Sequence, residues 1–140
     1  MVVSQSRSFG TSGTSGADGT SGTSGAAGAT GATGADTSIV ASSTKTANYT
    51  FAAADVNTMV IGSSASNLSF TVNTNAAVPI TTGSQILIAR GGTGALGVTG
   101  AAGVTINAAQ GYLNLNYQFS GATLVKQATD TWYLFGDLKA

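Results

Sequence analysis

From Ile39 onward, apolar and polar residues alternate in short runs separated by turn-forming residues. Tyr49 and Phe51 fall on one face, and Met59-Val60-Ile61 is a brief apolar run closed by Gly62. Leu68, Phe70 and Val72 alternate cleanly, as do Val104 and Ile106. Ile86-Leu87-Ile88 is continuous, the pattern of a strand covered on both sides. Leu113, Leu115, Tyr117 and Phe119 give the longest strict alternation. Leu124-Val125 and Trp132-Tyr133-Leu134-Phe135 flank the turn residues Ala128-Thr129-Asp130-Thr131, which predicts a closing hairpin. About seven short strands rich in Thr, Val and aromatics predict an all-β domain over residues 37–140, an antiparallel β-sandwich or barrel. No segment sustains a 3.6-residue period, and Ala52 to Asp55 has room for one helical turn at most.

Upstream the pattern is of another kind. Glycine occupies every third position from Gly10 through Gly13, Gly16, Gly19, Gly22, Gly25, Gly28 and Gly31 to Gly34, nine Gly-X-Y triplets in register. At an average glycine usage of about 7%, chance gives such a run with a probability on the order of 10⁻¹⁰. A flexible Gly/Ser/Thr linker needs the composition but not the period. The period has a steric origin: where three polyproline-II-like chains wind together, every third residue faces a crowded axis that admits only glycine. Residues 10–36 are therefore predicted to form a collagen-like stalk, and the chain a homotrimer. At about 3.1 Å per residue the stalk would reach roughly 80 Å. It contains no proline, so nothing pre-sets its backbone angles, and it should depend on a trimeric neighbour to stay wound. Residues 1–9 form a glycine-free head in which Val2, Val3, Arg7 and Phe9 are candidate anchoring residues.

Composition narrows the function classes. The 140 residues carry five Lys or Arg and five Asp, for zero net charge, with no His, Cys or Glu. Without a basic stripe there is little to release counterions from phosphates, so a nucleic-acid partner is not expected. No cysteine means no disulfide framework and no thiolate metal site. The start, MVVSQSRSFG, lacks the apolar run of a secretory signal, and no window is long enough and apolar enough to span a membrane.

Catalytic constellations are missing. Gly92-Thr93-Gly94-Ala95-Leu96-Gly97 is a formal G-x-G-x-x-G after a predicted strand, but a dinucleotide site needs the motif to open a helix. The Gly-rich Val98 to Gly103 that follows suits a turn or strand instead. The Asp residues are scattered: Asp55 and Asp130 suit backbone capping, while Asp18 and Asp36 are stalk residues. No catalytic residue, cofactor or metal site is assigned, and an enzyme is not expected. Trp132, Tyr133 and Phe135 suit the core and a subunit interface better than a carbohydrate-stacking platform.

Several blocks taken in order resemble a domain of tailed-bacteriophage virion proteins. They are Thr44-Lys45-Thr46-Ala47-Asn48-Tyr49-Thr50-Phe51-Ala52-Ala53-Ala54-Asp55, Ala76-Ala77-Val78-Pro79-Ile80, Gly103-Val104-Thr105-Ile106-Asn107, and the close Ala122 to Lys126 with Asp130 to Leu138. The resemblance covers about residues 44–138. It implies a virion structural protein in a trimeric fibre or decoration complex, with no enzyme activity. The expected role is a capsid decoration trimer, a cement protein or short head fibre on the capsid surface. Its partner would be the major capsid protein, and a tail-fibre or receptor-binding tip is the alternative.

Overall fold

The computed structural model describes residues 25–31 and 40–140. The chain divides into two units, Met1–Ala35 and Asp36–Ala140. In the first unit, residues 25–31 are exposed and take no regular hydrogen-bonded structure. The second unit is mostly strand, as the alternation predicts.

Its path is a winding one. The chain lays β1 (Ser42–Lys45) in one sheet, β2 (Tyr49–Thr50) in a second, and β3 (Met59–Gly62) back in the first. It continues to alternate through β4 (Leu68–Val72), β5 (Gln85–Arg90), β6 (Leu96–Gly100), β7 (Thr105–Ala108) and β8 (Asn114–Leu115). A hairpin of β9 (Gly121–Ala128) and β10 (Thr131–Gly136) then completes the first sheet, and β11 (Leu138–Lys139) ends the second. Sheet A has the order β1-β3-β5-β9-β10-β7 and sheet B the order β11-β8-β6-β4-β2.

A chain that crosses to the opposite sheet after each strand returns in the direction it left, so its neighbours are parallel. This corrects the antiparallel expectation. Five of the nine ladders among the described residues are parallel, β1–β3, β3–β5, β2–β4, β4–β6 and β10–β7. Antiparallel pairing is confined to the later strands, β5–β9, β9–β10, β6–β8 and β8–β11. Period-2 alternation sets which residues face inward but not which strand each one meets.

The two sheets enclose one core. Sheet A contributes Val60, Ile86, Ile88, Leu124, Trp132 and Leu134, and sheet B contributes Leu68, Phe70, Val72, Leu96, Val98 and Leu115, all buried. At the start of the domain Tyr49, Phe51 and Phe70 meet edge to face with ring centroids 5.6–6.1 Å apart, an arrangement the ring quadrupoles favour. The short helical turn Ala53–Asp55 is capped from within: Asp55 accepts from the Ala52 N–H (2.7 Å) and the Tyr49 hydroxyl (2.8 Å).

Two sequence patterns end differently. The alternation through Leu113–Phe119 makes a strand only at Asn114–Leu115. Tyr117 and Phe119 instead stand exposed in the following loop, where Phe119 has φ +70°. The G-x-G-x-x-G run turns between β5 and β6 and enters a strand, not a helix. Gly92 and Gly94 are needed there for closeness. A Cβ on Gly92 would lie 2.1 Å from the Ser64 carbonyl oxygen, and one on Gly94 2.1 Å from that of Ser66.

Candidate assembly face

The inner faces of the two sheets are alike, but their outer faces are not. Strand registers identify the outward rows of sheet A. One row is Met59, Leu87, Thr123 and Phe135, and the next is Gln85, Val125, Tyr133 and Asn107, with Ile61 and Ala89 alongside the first. No charged residue occurs among them. The outward residues of sheet B are Thr50, Ser69, Thr71, Gly97, Thr99, Asn114 and Lys139, all small or polar. Outward-facing strand positions in a sheet that meets water on one side are normally polar. Sheet B follows that rule and sheet A breaks it.

The centre of the apolar face is a pair of stacked rings. Tyr133 and Phe135, two positions apart on β10, lie nearly coplanar in orientation (4°) with centroids 5.7 Å apart. They are 39% and 58% exposed, against 1% for Leu134 between them. Grooves flank the stack. One of about 530 Å³ runs between Tyr133, Phe135, Asn107, Gln110, Tyr112 and Leu138. The other, of about 300 Å³, lies over Met59, Leu87, Ala89, Thr123 and Phe135. A ridge between two hollows, without charge, has the shape and chemistry of a protein–protein contact. Trp132 is spent on the core, so it adds nothing to an exposed platform.

Two buried cations, neither anticipated from the sequence, hold the loops at the ends of the sheets. Arg90, 9% exposed at the end of β5, donates to the carbonyls of Thr93 (2.6 Å), Gly94 (2.8 Å) and Asn116 (3.0 Å). It ties the glycine loop to the loop that carries Tyr117 and Phe119. Lys126, 2% exposed on β9, donates to Asn75 Oδ1 and to the Ile80 carbonyl (2.8 Å), with its Nζ 5.6 Å from the Trp132 ring centre. The only prior signal was a lone basic residue at an inward position of an alternating strand.

Among the sequence-predicted sites, Val2, Val3, Arg7 and Phe9 lie outside the described residues. So do Gly10, Gly13, Gly16, Gly19, Gly22 and Gly34. At Gly25, Gly28 and Gly31 a Cβ would meet no atom of the chain within 4 Å. Asp130, at φ +55° in the β9–β10 turn, accepts from the Asn75 N–H (2.5 Å), so it braces a distant loop. Among the described residues no helix is long and apolar enough to cross a membrane, and no three acidic, His or Cys side chains gather as a metal set. Compared with known proteins, the chain matches no family model, no curated protein sequence and no solved structure.

Proposed function

We propose that the chain is a structural protein that works as a homotrimer, with a β-domain that assembles through the outer face of sheet A and a collagen-like stalk. The single observation that carries this reading is the uncharged, aromatic-centred outer face of sheet A beside the polar outer face of sheet B. Two further copies of the chain are the natural occupants, because the Gly-X-Y period independently calls for three chains. Gly25, Gly28 and Gly31 have no steric need to be glycine within one chain, which agrees with a need supplied by neighbouring chains. The continuous run Ile86-Leu87-Ile88 agrees too: Ile86 and Ile88 are buried, while Leu87 is covered on its outer side only if a partner lies there.

The setting is a phage virion, on the strength of the sequence resemblance over residues 44–138, and the role is capsid decoration. A trimer matches the three-fold positions between capsomers, where one modest contact repeated three times gives avidity. The anchor is the head segment with Val2, Val3, Arg7 and Phe9, bound to the major capsid protein. Removing residues 1–9 should abolish binding to undecorated capsids while the trimer persists. A truncated protein that still coats capsids, or whose loss blocks adsorption to host cells, would transfer the function to a receptor-binding tip. The second reading has its own support in Tyr117 and Phe119, two exposed aromatics on a loop fixed by Arg90.

A further inference from the structure

The Lys126 cluster has more chemistry than a loop clamp requires. Lys126 reaches from β9 to Asn75, 51 residues earlier in the chain, on the segment between β4 and β5. Its Nζ touches Asn75 Oδ1, so the amide carbon Cγ lies only one bond further on. That oxygen is also held by the Ile80 N–H (3.2 Å), a fixed donor where negative charge would develop if Cγ were attacked. Asp130 accepts from the Asn75 backbone N–H (2.5 Å), which fixes the main chain that carries the amide. Trp132, Ile80 and the rest of the core wall the amine off from bulk water. An amine and a primary amide with a braced oxygen thus meet at the edge of the apolar core.

We propose that Lys126 and Asn75 join in an intramolecular isopeptide bond. Lys126 Nζ gives up the proton it donates to Oδ1 and attacks Asn75 Cγ after rotation about Cβ–Cγ, a broad terminal torsion. A C–N bond forms between Nζ and Cγ, and the bond from Cγ to Nδ2 breaks. The two protons that Nζ sheds pass to Nδ2, which leaves as ammonium. No oxidant or reductant is involved. Proximity does most of the work, since a fixed intramolecular pair gains effective concentration over a bimolecular one. The product ties β9 to the β4–β5 segment, a covalent staple in a chain with no cysteine.

Basic residues at Lys45, Arg90, Lys126 and Lys139 make the test direct. Trypsin does not cleave after an acylated lysine, so the denatured full-length protein should yield residues 46–90 bonded to residues 91–139. The linked species should be lighter than its two parts by one ammonia, about 17 Da. Fragmentation should place the bond at Lys126 and Asn75, and Lys126→Arg should abolish it. Cleavage after Lys126 with residues 46–90 released at full mass would overturn the proposal, as would a link that survives Lys126→Arg.

Discussion

Placing a carboxylate at the centre of the sheet A face tests assembly without touching the core. Phe135 points outward from β10, so Phe135→Asp should leave the monomer fold intact. Full burial of a Phe side chain is worth about 1.5–3 kcal/mol, and 58% of Phe135 is still exposed in the single chain, leaving roughly 1–1.7 kcal/mol per chain for a partner to supply. Three chains bring the loss to roughly 3–5 kcal/mol per trimer, a weakening on the order of 10²–10⁴ in the assembly constant. The buried carboxylates add to that, since an unpaired charge inside an apolar contact costs more than the lost ring. Sedimentation velocity on parent and variant at equal micromolar concentrations, with circular dichroism to confirm retained strand, should show the trimer shifting to monomer. A variant that keeps both its strand signal and the parent's concentration dependence would refute the assignment of this face.

Other expectations concern single residues. Arg90→Met deprives three carbonyls of a charged donor and should cost about 2–4 kcal/mol in a denaturant melt, read at one protein concentration; a loss below about 1 kcal/mol would mean that water replaces the guanidinium freely. Burial, then the hydrogen bond to Asp55, pushes the Tyr49 phenol up to about 12, from an ordinary 10.0. The raised value means that stability from the protonated phenol is complete below pH 10 and is lost as pH climbs through 12. The gap in denaturation midpoint between the parent and Tyr49→Phe should narrow over that window, and a constant gap would remove Tyr49 as its source. Gly22→Ala should raise protease sensitivity within residues 10–36, because a methyl group cannot fit at a triple-helix axis; equal resistance would favour three separate extended arms.

What the sequence made legible was facing and punctuation. The alternation of Leu68, Phe70 and Val72 became the inward row of β4, and the turn at Asp130 became the β9–β10 hairpin. Pairing was not legible, because winding between sheets leaves the same period-2 pattern as a meander. One clue lay in the connections: no Asn-Gly or Asp-Gly dipeptide occurs after residue 40, so the short hairpin signal is missing where an antiparallel meander would use it. The alternation through Tyr117 and Phe119 misled because aromatics in a loop braced by Arg90 keep strand spacing without strand pairing. The candidate assembly face was half legible. Leu87 and Phe135 stand out as apolar residues at outward positions, but their union into one surface needed the registers of β3, β5, β9 and β10. The buried roles of Arg90 and Lys126 were hidden, since their partners are mostly backbone carbonyls, which no side-chain pattern reveals.

The mass of the assembled particle bears most directly on the central claim. Sedimentation equilibrium on the full chain at micromolar concentration should give three times 13.6 kDa. Deleting residues 1–36 should leave a trimer of β-domains, because the outer face of sheet A is retained. A full-length chain that sediments as a monomer or dimer would contradict the account, stalk and face alike.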